Sequence, residues 1–599
     1  MTTPSTRSQS FSSWLDKSLE DAILADIAID EPWSIVKQFS EIVRSSGSVE
    51  ERRAFNILTE KLTQFGVPFT LHEPECFISW PLAASVRVVG GSGQSFVAKT
   101  SAMSVSTDGK KIKGEIVYVP PSSLDAEDAV HTVLNLDGRD VRGKIVLVDG
   151  LPLSNNATAV AESGALAGIF ISPGSRIHES ICTSIWGTPD LDSIKRLPRV
   201  PMAAVNHSDG QKLIDLAIQG GTVAVATNLD TRWRTIPVLV AEVLSDVLPD
   251  EFVLLNGHLD SWHGGVGDNA TGNAAMLEIA RVFSQHRSSL ARSLRIAWWS
   301  GHSHGRYAGS TWYSDTFAID LAANCVAQVN CDSPGCRWTE TFNSLSCMSE
   351  AAPMIEKTIE RITGIVPKAV RPPRAGDYAF NSIGISSFLM LSSTMSDELR
   401  HEKGYYPVGG CGGNIAWHTE DDTMEIADPD YLLRDIRVYA GSLLAVLNAP
   451  HHPYDWRLTS AEIRSTLTRY QTAIAGDFDF SPSFAALDRL DQALNSLYAT
   501  ASANDPASPE ARKFNYVQRR LGRILIPVNY SRMPPFWHDP ALKIAPLPDL
   551  FPALNAKRSR ASNDSLQILR THLKRGQNRL VWALMQAQEL ADRMATASG

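Results

Sequence analysis

The hydrophobic pattern divides the chain into four stretches. From residue 34 to 64, apolar residues recur at helical spacing, which predicts helix. From about 97 to 235, short apolar runs such as "GEIVYV" and "GKIVLVDG" alternate with Gly and Pro, which predicts a β-rich module. From 236 to 448, apolar runs such as "FVLLNG" and "LRIAWWS" alternate with helical stretches, and from 449 to 599 helical spacing dominates. The pattern predicts an α/β protein with a mainly parallel sheet flanked by helices.

The helical region contains one segment that differs from the rest. Residues 526–554, "IPVNYSRMPPFWHDPALKIAPLPDLFPAL", are apolar and rich in Pro, which predicts extended chain. Exposed, such a segment would be a large apolar patch, so we expect it to be buried against another domain or a second subunit.

Composition and length narrow the class of protein. A chain of 599 residues is expected to contain two to four domains. Hydrophobic residues make up 43% and charged residues 20%, and the net charge of −9 contains no basic block, so a nucleic-acid partner is not expected. No apolar run approaches the roughly 20 residues of a membrane helix, and the N-terminus lacks a basic start followed by an apolar core. We therefore expect a cytoplasmic protein.

The cysteines agree with a reducing compartment. They are few, odd in number and without CxxC spacing, which does not indicate a disulfide framework. The seven are Cys76, Cys182, Cys325, Cys331, Cys336, Cys347 and Cys411.

Imidazoles and carboxylates follow several of the predicted strands. They occur in five segments: His258–Asp260, Ser300–His304, Asp332, Asp377 and His418. Ligands of a parallel sheet bind beyond the carboxyl ends of its strands, so we expect these segments to meet at one edge of the sheet. Histidine and carboxylate ligands suit divalent cations, and the convergence of five such segments predicts a metal site.

Five motifs, taken in order, carry a resemblance to a known family. They are "GHLDSW", "GVGDNATG", "VNCDSPG", "AGDYAFNSIGI" and "AWHTEDDT". Together they resemble the landmarks of the co-catalytic zinc aminopeptidase and glutamate carboxypeptidase family. The resemblance implies a discontinuous metallopeptidase-like α/β domain (34–96 and 236–448), a protease-associated-like domain (97–235) and a helical domain (449–599). The last resembles the dimerisation domain of the glutamate carboxypeptidase and transferrin-receptor branch, which implies a homodimer.

The resemblance also assigns roles to individual residues. It implies that His258 and Asp332 bind a first metal ion, that the Asp260 carboxylate orients His258, that Asp268 bridges two metal ions, and that His418 binds the second. The implied cofactor is one or two divalent transition-metal ions, with zinc favoured.

Three further residues are assigned to the substrate. Asp377 and Tyr378 fall in the family's pocket-lining loop, and Arg374 is a candidate anchor for a substrate carboxylate. A surface charge on a Pro-rich loop is the other interpretation of Arg374.

The chain departs from the family at one place. After "LRIAWW" the family has two adjacent glutamates, a general base and a ligand of the second metal, whereas this chain has His302 and Ser303, followed by His304. The loss of a metal-binding carboxylate removes one negative charge. The repulsion between two close divalent cations is then less well offset. Two outcomes stay open: a single metal held by His258, Asp268 and Asp332, or a second metal kept by His418 with His302 or His304.

The function inferred from this set is a metal-dependent hydrolase with an altered site. It would cleave an amide bond in a small peptide or an amino-acid conjugate, with His302 as the proton-transferring group in place of glutamate. A catalytically silent binding or scaffold protein, and a lyase or isomerase that uses the same pocket, are the alternatives.

Overall fold

The computed structural model describes residues 16–91, 93–120, 134–501, 505–560 and 562–596. The prediction made on the N-terminal stretch 1–15 lies outside these ranges. Within them, every helix is too short or too polar to traverse a lipid bilayer.

An eight-stranded sheet forms the centre of the α/β domain. Its four middle strands, Arg292–Trp299, Leu248–His258, Cys325–Asn330 and Ser387–Met390, pair in parallel in that order. Antiparallel pairing occurs towards both edges, so the sheet is mixed. The outer strands are Phe69–His72, Val238–Val243, Leu345–Cys347 and Ala369–Val370. The parallel centre brings the carboxyl ends of three neighbouring strands to one edge, where the sequence predicted the site.

Nine α-helices belong to this domain in the described ranges. They are Lys17–Asp26, Asp30–Ser40, Val49–Phe65, Thr271–Gln285, Ala308–Thr316, Ala318–Asn324, Ala352–Thr363, Asp397–Glu402 and Pro429–Leu447. The prediction of one helix over 34–64 is wrong, because residues 41–48 form a loop. Arg44 in this loop is fully buried and donates to the carbonyls of Phe39, Leu259 and Gly265, at 2.8, 2.9 and 2.8 Å. A buried guanidinium needs several acceptors, and the break in the helix lets it reach them.

The inserted module is a closed seven-stranded barrel. Its strands are Glu75–Val88, Ser95–Thr100, Ile112–Tyr118, Ile145–Asp149, Ala167–Ile171, Met202–Val205 and Thr222–Thr235, and its helices are Ser154–Glu162 and His207–Ile218. The predicted start at residue 97 is wrong. The strand Glu75–Val88 pairs along its length with Thr222–Thr235, so the barrel begins at Glu75.

The C-terminal region is helical, as predicted. Its helices are Trp456–Ile474, Ser481–Ala499, Pro509–Tyr530, Ala556–Ser559 and Asn563–Thr596. Their apolar residues are continuous with the core of the α/β domain, so this region packs on its own chain. Arg523 secures the contact by donating to the carbonyls of Ala322 and Gly384, at 3.0 and 2.8 Å.

The segment 526–554, which was predicted to be extended, begins in a helix instead. Residues 526–530 are the last turns of the helix Pro509–Tyr530, which continues through Pro527. Residues 531–550 contain neither an α-helix nor a strand. In this part Ala541 donates its N–H to the carbonyl of Ser184, which lies in the barrel.

A buried carboxylate at the junction of the two regions makes stability depend on pH. The hydroxyls of Ser386 and Thr459 donate to the Glu350 carboxylate at 2.8 and 2.9 Å, and burial raises the pKa of Glu350 from 4.5 to about 7. The folded state therefore keeps a proton that the unfolded state releases. We expect the free energy of unfolding to fall as pH rises from about 4.5 to about 7, by about 3 kcal/mol in total.

Glu350→Gln carries no charge at any pH and is expected to remove this dependence. Thermal midpoints measured between pH 4.5 and 8 should then diverge, with the variant gaining on the wild type as pH rises. Glu360→Gln, an exposed change on the helix Ala352–Thr363, is the control and should follow the wild type. Parallel curves for Glu350→Gln and the wild type would contradict the expectation.

Candidate metal centre

The strand ends place the first ligand-type residues. His258 is the last residue of Leu248–His258, Asp332 follows Cys325–Asn330 by two positions, and His302 follows Arg292–Trp299 by three. Because these strands are neighbours in the sheet, the three side chains converge. One ligand atom from each of the three lies within 4.8 Å of the others.

Asp268 lies between two imidazoles. Its Oδ1 is 2.9 Å from His258 Nε2, and its Oδ2 is 3.2 Å from His418 Nε2. His258 Nε2 is also 3.6 Å from Asp332 Oδ2. Around a tetrahedral zinc ion with bonds of about 2.0–2.1 Å, neighbouring ligand atoms are about 3.3 Å apart. The three distances of 2.9, 3.2 and 3.6 Å are close to that spacing, and a carboxylate with one oxygen towards each imidazole fits a bridging ligand.

The electrostatics of the first position also fit a cation. Burial opposes a charge on His258, but the carboxylates of Asp268 and Asp332 outweigh it and hold the pKa of His258 well above its ordinary value. His258 Nε2 and Asp268 Oδ1 are buried, and neither has a well-aligned hydrogen-bond partner in the described part of the chain. Buried polar atoms of this kind are normally paired, so a ligand between them would satisfy both.

Asp260 differs from its predicted role. His258 Nδ1 is held at 2.8 Å by the backbone carbonyl of Asp260, whereas the carboxylate is 3.9 Å away. The carboxylate accepts instead from the backbone N–H of His302 and Ser303, at 3.2 and 2.7 Å, and from the Ser46 hydroxyl at 2.7 Å. Asp260 therefore fixes the turn that replaces the glutamate pair.

His302 is held by a second carboxylate. Its Nδ1 lies 3.0 Å from Asp377 Oδ2, and Ser310 donates to the other oxygen of Asp377 at 2.6 Å. A carboxylate on Nδ1 keeps the proton there and leaves Nε2 with a free lone pair, as in hydrolase His–Asp pairs. Asp377 therefore positions His302, and its side chain, 1% exposed, does not line a substrate pocket as predicted.

The orientation of His302 bears on whether it binds metal. Its ring stacks on that of His258, with centroids 3.8 Å apart and planes 16° apart. The lone pair of an imidazole nitrogen lies in the ring plane, so two stacked rings cannot both point at one ion. This geometry favours a proton-transferring role over shared ligation with His258.

His304 does not join the cluster. It is buried between Trp262, whose ring centroid is 4.2 Å away, and Ser46, whose hydroxyl is 3.0 Å from Nδ1. Burial lowers the pKa of His304 to about 4, so the ring is neutral. The structure does not support the prediction of His304 as a metal ligand, because among the described residues His304 is not part of the group of ligand atoms that lie within 4.8 Å of one another.

The other two predicted substrate residues are structural. Tyr378 is fully buried and does not lie on an exposed surface. Arg374 donates to the carbonyls of Tyr378 and Asp539, at 3.2 and 2.8 Å, and lies 3.5 Å over the ring of Trp186. Arg374 is therefore neither a surface charge nor a free anchor, since it ties the segment 531–550 to the α/β domain.

Sequence reasoning missed a carboxylate next to the site. Asp422 is buried and accepts from the backbone N–H of Gly267 and Asp268, at 2.7 and 3.0 Å. Burial, together with the Asp268 carboxylate, raises the pKa of Asp422 to about 7. Asp422 lies in the same "AWHTEDDT" motif as His418, and that shared motif was the available signal.

The second imidazole is held from the barrel. His418 Nδ1 lies 3.0 Å from the carbonyl of Glu179, and the Glu179 N–H donates to the carbonyl of His418 at 2.8 Å. The neighbouring His178 contacts the carbonyl of Trp417 through Nδ1 at 2.6 Å and the Tyr406 hydroxyl through Nε2 at 2.7 Å. Burial lowers the pKa of His178 to about 4, which keeps it neutral.

Comparisons with known proteins agree with the fold. Residues 239–440 match the family model "Peptidase family M28". Carboxypeptidase Q of Bos taurus is 26% identical over 292 residues, which cover 45% of this chain and 57% of that protein. The chain thus spans little more than half the length of this relative.

Two solved structures share the architecture. A peptidase M28 precursor from Shewanella amazonensis SB2B has a TM-score of 0.56 at 17% identity, over 72% of this chain and 96% of that one. BSAP, a zinc aminopeptidase from Bacillus subtilis, has a TM-score of 0.50 at 16% identity, over 69% and 94%. At such identities the likeness establishes the fold, which is the predicted zinc-exopeptidase-like one. The part of the α/β domain that holds His258, Asp268, His302, Asp332 and His418 is therefore similar to peptidase family M28 over residues 239–440.

Proposed function

We propose that this chain is a metal-dependent hydrolase that cleaves an amide bond in a small peptide or an amino-acid conjugate. The observation that carries the proposal is the Asp268 carboxylate, which presents one oxygen to His258 and the other to His418. This arrangement supports metal binding in an M28-type domain whose second glutamate is replaced by Ser303.

The ligand set supports two unequal metal positions. His258, Asp268 and Asp332 supply three side chains to the first, as in a three-ligand catalytic zinc site. Asp268 and His418 supply two to the second. We therefore propose one tightly bound ion and one weakly bound ion, with zinc favoured by the imidazole content and by the similarity to a zinc aminopeptidase.

The residues of the chain provide the proton transfer. A bound zinc ion would supply Lewis acidity to the scissile carbonyl and to the attacking water. His302 Nε2 accepts the proton of that water and returns it to the leaving amine. Asp377 holds the proton on Nδ1 throughout, since it contacts that nitrogen at 3.0 Å.

The proposal is tested by metal analysis and by a substrate panel. We expect purified protein to contain zinc and to hydrolyse at least one class among amino-acid amides, dipeptides and N-acyl amino acids, with loss of turnover on chelation and recovery on zinc addition. Metal-free protein that cannot be loaded and turns over none of them would contradict it and favour a binding role.

We also propose that two copies of the chain associate through the helix Asn563–Thr596. Ile568, Trp582 and Met585 on this helix are 70%, 62% and 37% exposed, and an interface along the helix would bury them. We expect sedimentation of the wild type as a dimer and of Trp582→Asp as a monomer. A wild type that sediments as a monomer at micromolar concentration would contradict this.

We propose in addition that the protein works in a reducing compartment, a proposal supported by its seven free thiols.

A further inference from the structure

A loop of the barrel fixes the tautomer of His418. A carbonyl oxygen only accepts hydrogen bonds, so the contact of 3.0 Å with the carbonyl of Glu179 requires the proton of His418 to be on Nδ1. Nε2 then presents its lone pair on the side of Asp268, which lies 3.2 Å away. An outer partner of this kind orients a metal-binding imidazole.

The same loop holds the backbone at His418. His418 has a φ of +58°, a left-handed conformation that a residue with a side chain adopts at a cost. Its carbonyl accepts the Glu179 N–H at 2.8 Å, and the preceding carbonyl, of Trp417, is held by His178 at 2.6 Å. Two successive peptide groups of the ligand loop are therefore pinned by two successive residues of the barrel.

The loop itself is anchored on both sides. The Glu179 carboxylate lies 2.9 Å from Lys99 Nζ on the barrel strand Ser95–Thr100, and 3.1 Å from His263 Nε2 in the α/β domain. His178 is 1% exposed and reaches Tyr406 of the α/β domain through its second nitrogen. The contact at His418 therefore depends on docking of the whole barrel.

We propose that the inserted barrel is part of the metal centre: His178 and Glu179 position His418, so docking of the barrel and binding of the second metal ion are thermodynamically linked. The inference rests on the proposed function, because it needs a metal to be bound. The barrel then contributes to the metal site itself and not only to the shape of the molecule.

The test counts zinc equivalents and their affinities by competition with a chromogenic chelator. His178→Leu removes both side-chain contacts, whereas His178→Asn keeps a donor in the place of Nδ1. We expect His178→Leu to weaken the second equivalent roughly 10- to 100-fold and to leave the first unchanged. His178→Asn should stay within a few-fold of the wild type. His207→Leu, on an exposed histidine of the barrel helix His207–Ile218, is the control.

A second measurement uses the wild type alone. The linkage requires zinc at the second position to slow hydrogen exchange of the Glu179 amide, because that N–H donates to the carbonyl of His418.

Tyr406→Phe is the second variant, to be used if His178→Leu does not fold. It removes only the outer contact of His178 and should weaken binding of the second zinc equivalent to a smaller degree.

The outcomes separate the two proposals. A wild type that binds no zinc contradicts the proposed function. A wild type that binds only one equivalent, or a His178→Leu or Tyr406→Phe variant that matches the wild type at both equivalents, overturns the inference about the barrel and leaves the hydrolase proposal standing.

Discussion

Replacement of Asp268 by asparagine is expected to weaken metal binding at both positions strongly, and hydrolysis with it. The side chain keeps its size but loses its charge, and the amide nitrogen must face one of the two imidazoles, His258 or His418, that the carboxylate now contacts. Removal of one partner from a buried charged set costs about 3–5 kcal/mol, which corresponds to roughly 10²- to 10⁴-fold in affinity. Because Asp268 serves both positions, both zinc equivalents should weaken together, as measured by chelator competition and by elemental analysis after dialysis.

The variant is expected to fold, which makes the loss interpretable. The loop that carries Asp268 is held by its backbone, since Asp422 accepts the N–H groups of Gly267 and Asp268. Circular dichroism should therefore match the wild type. Asp488→Asn is the matched control, because Asp488 pairs with Arg464 at the surface of the helical region, at 2.8 Å, and should change neither zinc content nor turnover. Retention of both equivalents by Asp268→Asn would show that Asp268 is not the shared ligand.

The sequence predicts the centre of the fold well for a physical reason. Parallel strands buried on both faces are continuous apolar runs, and "FVLLNG" and "LRIAWWS" do form the neighbouring strands Leu248–His258 and Arg292–Trp299. The strand Glu75–Val88 is exposed at several positions and lacks such a run, so the start of the barrel was placed too late in the chain. Its place is set by pairing with Thr222–Thr235, a strand from the far end of the module, which local pattern does not report.

The structure brings the predicted metal-binding residues together, and their roles as ligands stay a prediction. His258, Asp268, Asp332 and His418 meet as expected, because they follow strands or lie in motifs shared with a known family. Contacts between side chain and backbone could not be foreseen. The carbonyl of Asp260, and not its carboxylate, holds His258, since the local chain direction places the carbonyl 2.8 Å from Nδ1.

Contacts between residues that lie far apart along the chain were also missed by the sequence analysis. Asp377, which lies far along the chain from His302, was assigned to a substrate pocket and instead orients the His302 ring. His178 and Glu179 come from a different module and hold His418 from a distant part of the sequence. Such pairs are fixed by how the modules dock, and docking is decided by burial over whole surfaces.

Replacement of His302 by alanine is expected to separate catalysis from metal binding. The ring of His302 is stacked on His258 and its Nδ1 is held by Asp377, so we assign it proton transfer and not ligation of the ion at His258. We expect turnover to fall roughly 10²- to 10⁴-fold, the usual contribution of a positioned acid–base group, while both zinc equivalents stay bound. Added imidazole should restore part of the activity, because it can occupy the space of the missing ring and accept the proton.

Asp377→Asn tests the same assignment from the other side. An amide in place of the carboxylate no longer favours a proton on His302 Nδ1, so turnover should fall by a comparable factor without a change in zinc content. His286→Ala is the matched control, because His286 also pairs with a carboxylate, Asp26 at 2.7 Å, but at the surface. If His302→Ala instead loses zinc, the ring is a ligand, and the glutamate pair of the family has been replaced by a new metal set and not by a new base.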